Sequence, residues 1–181
     1  MDKKIITCFC FLLLSLLTVT IPSEAKKKVH TIGDSTMANY ATDGTTDKRG
    51  WAQMLQQFFN VDNVTVNNRG KSGASSKSFY LESAYWPTLV TGGSDAMQAG
   101  DFLLIQFAHN DEKNGGADGD VVKEYYANQG DATTAASTDY RGTTASGTYK
   151  EYIRKYIDEA KAMGVKPIVV GPICRKYFST D

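Results

Sequence analysis

Three short polar clusters each stand just after an apolar run, and together they contain the parts that acyl transfer needs. They are Gly33-Asp34-Ser35-Thr36, then Asn68-Arg69-Gly70-Lys71-Ser72-Gly73-Ala74-Ser75, then Ala108-His109-Asn110-Asp111. Acyl transfer requires a nucleophile and donors aimed at the oxygen on which negative charge develops. A serine at a strand-to-helix turn exposes its hydroxyl while backbone amides point the same way. Ser35 fits that position, with the Gly73 backbone amide and the Asn110 side-chain amide as candidate donors. Glycine suits position 73 because no Cβ obstructs the approach of a substrate to the backbone.

The elements that must hold these clusters are legible in the apolar pattern. Val29 to Ile32 reads as a first strand ending at Gly33, Val64-Thr65-Val66 as a second, and Phe102 to Phe107 as a strand buried on both faces and interrupted only by Gln106. Trp51, Met54, Leu55, Phe58 and Phe59 fall at helical spacing, the stripe of a helix packed on a sheet. The strongest helical stripe runs through Tyr149, Tyr152, Ile153, Tyr156, Ile157, Ala160 and Met163, with capping-box spacing at Thr148 and Glu151 and a stop at Gly164. Val165 to Val170 follows as another buried strand, with Pro167 near its start. Strands alternating with amphipathic helices predict an α/β fold of parallel βαβ units with helices on both faces. In such a sheet the three clusters meet at one rim, at the carboxyl ends of the strands.

Several other patterns weigh less. Asp34 adjoins Ser35, but neighbouring side chains on an extended segment diverge, so its carboxylate is expected to hold backbone amides of the turn. Lys71 and Ser72 imitate the end of a phosphate loop, a pattern that fails because Thr65 stands where a glycine is required. Asp118-Gly119-Asp120 lacks the further oxygen ligands of a calcium loop, so no metal and no cofactor is expected. His30, on the first strand, reads as a core or strand-end residue. Asn63-Val64-Thr65 is a glycosylation sequon, relevant only in a eukaryotic secretory pathway. The long polar stretch from Asp111 to Gly147 is either a lid or substrate loop or plain surface. Within it, Tyr125 and Tyr126 lie on a candidate short helix, Val121 to Asn128, and either stack on sugar rings or pin the loop.

Residues 1–25 read as a secretory signal: Lys3 and Lys4, an apolar run from Ile5 to Ile21, then Pro22-Ser23-Glu24-Ala25. The competing reading is a membrane anchor, and Pro22 with the small residues at the cleavage position decides for export. The protein is therefore expected to be secreted or periplasmic, free of the membrane after cleavage, and to keep Cys174 as its one thiol. One domain, residues 26–181, is expected to follow. Formal charge is +0 and apolar residues make up 41% of the chain, an ordinary globular composition that favours neither nucleic acid nor an anionic membrane.

The three clusters, in this order, resemble the blocks of the SGNH or GDSL hydrolase family, and most closely its rhamnogalacturonan acetylesterase branch. The blocks here are Ile32-Gly33-Asp34-Ser35-Thr36-Met37, Asn68 through Gly73 to Ser75-Ser76-Lys77-Ser78-Phe79, and Gln106-Phe107-Ala108-His109-Asn110-Asp111-Glu112-Lys113. Gly171-Pro172-Ile173 resembles the strand end before the family's last blocks, and Ala108 departs from its usual glycine. The resemblance implies a three-layer α/β/α, flavodoxin-like fold with a parallel sheet in the order 2-1-3-4-5. It implies Ser35 as nucleophile, an oxyanion hole formed by the amides of Ser35 and Gly73 with Asn110, and His109 and Asp34 lining the substrate pocket.

By the same resemblance the protein is a serine esterase that removes acyl groups, acetyl above all, from a plant cell-wall polysaccharide, with the acylated polysaccharide or oligosaccharide as its partner, and a monomer at full length. The family's Asp-x-x-His block, which supplies base and orienting carboxylate, has no counterpart here, where the two histidines are His30 and His109. The domain is thus expected to be incomplete at its C-terminus, nearly inactive alone, and poorly soluble because Val165 to Val170 becomes an exposed edge. The alternatives are a secreted carbohydrate-binding pseudoenzyme or a non-functional fragment.

Overall fold

The structure, a computed structural model, describes residues 26–112 and 141–174. The expected leader, the Val121–Asn128 segment with Tyr125 and Tyr126, and Asp118-Gly119-Asp120 lie outside the described residues.

Four parallel strands, β1 (Lys27–Gly33), β2 (Val64–Asn68), β3 (Phe102–Gln106) and β4 (Lys166–Val169), form one sheet in the order β2-β1-β3-β4. This is the expected order for those four strands. Register is continuous across the centre: His30 pairs with Asn67 on one side and Leu103 on the other, and Gly33 pairs with Gln106. From β1 the chain steps outward to β2, then crosses back to β3 and on to β4. Right-handed crossovers therefore put the first connection on one face and the later ones on the other.

The second face carries the core. Helices α1 (Ser76–Leu81), α2 (Trp86–Thr91) and α3 (Thr148–Ala162) bury Phe79, Trp86, Leu89, Tyr156 and Ala160 against Ile32, Leu103, Ile105 and Phe107 of the sheet. Aromatic rings dominate the contact, with the Tyr156 ring 4.7 Å from Trp86 in an edge-on arrangement and 5.7 Å from Phe107 in a stack. Their polar tips are all engaged: Trp86 Nε1 donates to Glu159 at 2.7 Å, and the Tyr156 hydroxyl donates to the Ser76 carbonyl at 2.6 Å. Burial raises Tyr156 well above the ordinary tyrosine range, so it stays a neutral donor.

The first face is thinner, and here the structure corrects the helical reading of 51–59. Trp51–Phe58 winds as a 3₁₀ helix, not an α-helix, and only Ala52 is buried. A 3.0-residue turn rotates the apolar stripe away from a single face. Phe58 is left 74% exposed and Met54 42% exposed. With this lighter cover, β3 alternates: Leu103, Ile105 and Gln106 are buried, while Phe102 and Leu104 are only half-buried, against the expectation of burial on both faces.

The expected cap of α3 is also replaced. The N-cap is Gly147, without a side-chain cap bond, and Thr148 is already inside the helix. Thr148 instead exchanges bonds with Thr144: the Thr144 amide donates to Thr148 Oγ1 at 3.1 Å and the Thr148 amide to Thr144 Oγ1 at 3.3 Å. The C-terminal stop is as expected. Gly164, at φ +75°, closes a Schellman motif in which the Val165 amide donates to the Ala160 carbonyl and the Gly164 amide to Lys161. At the edge, β4 is open among the described residues, with Ile168 45% and Val169 52% exposed, so it is not the buried strand its composition suggests.

Candidate active site

The direction of chain travel reverses between β1 and β3, and loops leaving their carboxyl ends part to form a crevice there. The loop after β1 begins at Gly33, where a Cβ would stand 2.2 Å from Met37 Sδ and 2.4 Å from the Gln106 carbonyl oxygen. Only glycine lets the chain turn so close to β3. The next residues form a turn in which the Met37 amide donates to the Asp34 carbonyl at 3.1 Å. Asp34 is buried, and its Oδ1 accepts from both the amide and the hydroxyl of Thr36 at 2.8 Å. It holds the turn, as its position next to Ser35 suggested, and lies beneath the surface of the crevice. Ser35 occupies the tip, half-exposed, with its carbonyl held by the Tyr40 hydroxyl at 2.8 Å. Among the described residues its hydroxyl and its amide make no hydrogen bond.

The second loop is tied to the first by Asn68, whose side chain accepts from the Gly70 amide at 2.9 Å and donates to the Met37 carbonyl at 2.7 Å. The Lys71 amide donates to the Gly33 carbonyl at 2.9 Å, extending the sheet pairing past its last regular residue. A turn from Lys71 to Ala74 then places Gly73 at φ +83°, a left-handed conformation that favours glycine. Like that of Ser35, the Gly73 amide is unengaged among the described residues. Ser75 caps α1 through a reciprocal bond with Ser78.

The third loop is laced to the second by consecutive residues. Asn110, buried, donates from Nδ2 to the Ala74 carbonyl at 2.9 Å. Asp111 accepts from the Ser76 amide at 3.1 Å, from the Ser76 hydroxyl, and from Thr143 Oγ1 at 3.0 Å. Burial pushes the Asp111 carboxyl up, against the pull of the Ser76 and Thr143 bonds. The same burial, with Asp111 nearby, raises Tyr149 to about 12, and its hydroxyl donates to the Phe107 carbonyl at 2.9 Å.

Thus Asn110 is bonded to the neighbour of Gly73, and the loop of Gly73 is bonded in turn to the one that carries Ser35. The histidines go elsewhere. His109 Nε2 donates to the Ile173 carbonyl at 2.6 Å, toward the segment after β4. His30 is fully buried in the body of the sheet, accepting from Asn67 Nδ2 at 3.1 Å and therefore presenting Nε2–H to Asp101 Oδ2 at 3.2 Å. Burial lowers its pKa despite the Asp101 bond. The hydrogen bonds described for the two histidines run to Asn67, Asp101 and Ile173.

Three participants escaped sequence reasoning. Gln106, the lone polar residue of the β3 run, is buried and joins Trp51 Nε1 at 2.6 Å, Thr36 Oγ1 at 3.3 Å and the Gly171 carbonyl at 3.0 Å. A buried amide must be satisfied, so a polar residue inside an apolar strand was a usable signal. Arg141 and Thr143 had no such signal in their polar stretch, yet Arg141 Nη1 donates to the Gly73 carbonyl at 3.3 Å. A cavity of about 760 Å³ opens beside them, walled by Ala108, Asp111, Thr143, Tyr149 and Pro172. Ser35 is not one of its walls. No cluster of metal-ligating side chains occurs among the described residues, and no helix among them is long and apolar enough to cross a membrane.

Comparison with known proteins follows the same lines. The sequence profile of the GDSL-like lipase/acylhydrolase family matches residues 31–180. The chain is 27% identical over 150 residues to the probable rhamnogalacturonan acetylesterase YesY of Bacillus subtilis, covering 83% of this chain and 55% of that protein. It is 28% identical over 154 residues to the rhamnogalacturonan acetylesterase RhgT of the same organism, covering 85% and 52%. A rhamnogalacturonan acetylesterase of Emericella nidulans is 28% identical over 134 residues, covering 74% and 47%. The chain spans about half the length of these relatives. The crystal structure of Bacillus subtilis protein YXIM superposes with a TM-score of 0.57 at 20% identity, over 81% of this chain and 33% of that one, a likeness of fold.

Proposed function

We propose that this chain, which belongs to the GDSL-like lipase/acylhydrolase family, carries the nucleophile and the oxyanion-binding groups of a secreted carboxylic ester hydrolase acting on acetylated pectin-type polysaccharide. The reading is supported by the loops that carry Ser35, Gly73 and Asn110, which are bonded one to the next beyond the carboxyl ends of β1 and β3, and by a Ser35 hydroxyl and Ser35 and Gly73 amides without hydrogen-bond partners among the described residues. Ser35 attacks the acetyl carbonyl, and the tetrahedral oxyanion accepts from the amides of Ser35 and Gly73 and from Asn110. Asn110 has two N–H donors, of which Ala74 takes one, so the bond that locks the side chain leaves a donor for the acyl oxygen. The acyl C–O bond to the sugar breaks and the serine proton passes in net to the sugar oxygen, which leaves as an alcohol; water then cleaves the acetyl-serine, releasing acetic acid and restoring the Ser35 hydroxyl. The choice of polysaccharide leans on the rhamnogalacturonan acetylesterase names of the relatives.

A second reading, a carbohydrate-binding protein without turnover, draws on the engagement of both histidines away from Ser35. One experiment separates the two: acetate release from acetylated rhamnogalacturonan, with covalent labelling by a fluorophosphonate. Acetate release and labelling, both lost in Ser35→Ala, support the esterase. Polysaccharide binding with neither, also when an Asp-x-x-His block is supplied downstream of the chain, supports the second reading.

A further inference from the structure

The Ser35 hydroxyl has no hydrogen bond to orient it among the described residues, so its aim depends on the backbone turn that bears it. That turn is anchored at the next residue. The Thr36 carbonyl accepts from the Trp51 amide at 2.9 Å, and the Thr36 amide donates to Asp34 Oδ1 at 2.8 Å. The one proton of the Thr36 hydroxyl serves two acceptors, Asp34 Oδ1 at 2.8 Å and Gln106 Oε1 at 3.3 Å. The same Gln106 oxygen accepts from Trp51 Nε1 at 2.6 Å. An indole nitrogen only donates, which fixes Oε1 toward Trp51 and leaves Nε2 to donate to the Gly171 carbonyl at 3.0 Å. Gln106 is buried, and its backbone pairs in register with Gly33 at the start of the Ser35 loop. One buried amide therefore joins the nucleophile turn, the 3₁₀ helix of the first face and the segment leaving β4.

We propose that Gln106 is a positioning residue for the reaction: acting through Thr36 and Trp51, it sets the turn that aims the Ser35 hydroxyl and couples that turn to the segment leaving β4. The inference rests on the esterase reading for the role of Ser35. An uncharged amide suits the place because it accepts and donates at once. An ionised carboxylate there would oppose the Gly171 carbonyl, and an aliphatic side chain would take a partner from both Trp51 Nε1 and that carbonyl. Trp51 gives Gln106 a second route to Thr36, since the residue whose indole reaches Gln106 also holds the Thr36 carbonyl through its amide. The effect on rate is one of geometry, because misplacing a reacting atom by about 1 Å can cost about 10²-fold.

The test compares Gln106→Met, Thr36→Val and their double variant in acetyl-ester hydrolysis, with the core variant Leu89→Ala as the control for lost stability alone. Each is assayed as the chain itself and with an Asp-x-x-His block supplied downstream. Gln106→Met should lower kcat about 10- to 100-fold and leave KM within about twofold. Leu89→Ala, measured below its melting transition, should keep the native kcat. The double variant should lose about as much as the larger single loss, because both substitutions act on one turn. A readout that needs no turnover is the pair of Trp51 indole N–H and Ser35 amide resonances in isotope-labelled protein. Both should shift in Gln106→Met and stay in place in Leu89→Ala. An unchanged kcat, an equal kcat loss in Leu89→Ala, additive losses in the double variant, or a Ser35 amide that does not move overturns the assignment. If no form releases acetate while the Ser35 resonance shifts with Gln106→Met, the esterase reading fails and control of the turn by Gln106 stands. If acetate is released and Gln106→Met matches its parent, the reverse holds.

Discussion

The side-chain amide of Asn110 donates to the carbonyl of Ala74 at 2.9 Å, across 36 positions of sequence. That bond ties the loop after β3 to the turn that presents Gly73 and fixes the orientation of the Asn110 amide. Removing it has two consequences. Asn110→Ala leaves a buried carbonyl without its donor, at about 1 to 3 kcal/mol of stability. Under the proposed mechanism it also removes one oxyanion donor, for a loss of about 10²- to 10³-fold in kcat. Thermal melts and acetyl-ester kinetics read the two separately, and an unchanged kcat would remove Asn110 from the oxyanion hole.

Ser35→Ala should separate activity from stability. The hydroxyl makes no bond among the described residues, so its loss should change stability by under about 0.5 kcal/mol while acetate release falls to background. A variant that still turns over would mean that Ser35 is not the nucleophile.

Gly33→Ala should be strongly destabilising. Its Cβ would meet the Gln106 backbone oxygen at 2.4 Å and Met37 Sδ at 2.2 Å, and a strand backbone cannot move aside as a flexible side-chain end can. Gly44→Ala, where φ is +85° and nothing lies within 4 Å, is the control for glycine loss by backbone strain alone. Denaturant titration should show the Gly33 variant well below the Gly44 variant, and parity between them would contradict the close approach of the loop to β3.

His30 makes stability depend on pH. Burial depresses its pKa below the unfolded value, so on acidification the unfolded chain takes up the proton first. Its contribution is complete above about pH 6.5, the unfolded histidine value, and is lost as pH falls from there toward the lowered native value. Melting temperatures between pH 8 and 5 should fall more steeply for the native sequence than for His30→Gln, which has no titrating group there. Parallel curves would show that His30 does not titrate differently on folding.

The exposed edge at β4 should govern self-association. Ile168, 45% exposed on a strand open among the described residues, offers an apolar template to another chain. Ile168→Lys should lower aggregation of this 181-residue chain in light scattering with little change in melting temperature. Undiminished aggregation would direct attention to Phe58 and its neighbours on the 3₁₀ helix.

Much of this protein is written in local pattern. The apolar runs of β1 and β3, the stripe of α3 and its stop at Gly164 were legible because each depends on the periodicity of a single segment or on one glycine's access to positive φ. The three polar blocks were legible because residue type alone limits which groups can attack, donate or turn.

Tertiary structure decided the rest, since its causes lie far apart in the chain. The segment Trp51–Phe58 has helical spacing, yet it winds as 3₁₀ where Trp51 reaches Gln106, 55 residues away. Thr148 has the composition of a cap and lies inside α3, because Thr144 exchanges bonds with it. His30 is an ordinary strand residue until Asp101, 71 positions on, closes over it. Arg141 is anonymous in its polar stretch until Thr143, bonded to buried Asp111, brings it to Gly73. The sequence by itself determined which chemical groups this protein possesses and which strands and helices carry them. Only the fold decided which groups meet, because a hydrogen bond between loops exists only once the sheet has brought their strands side by side.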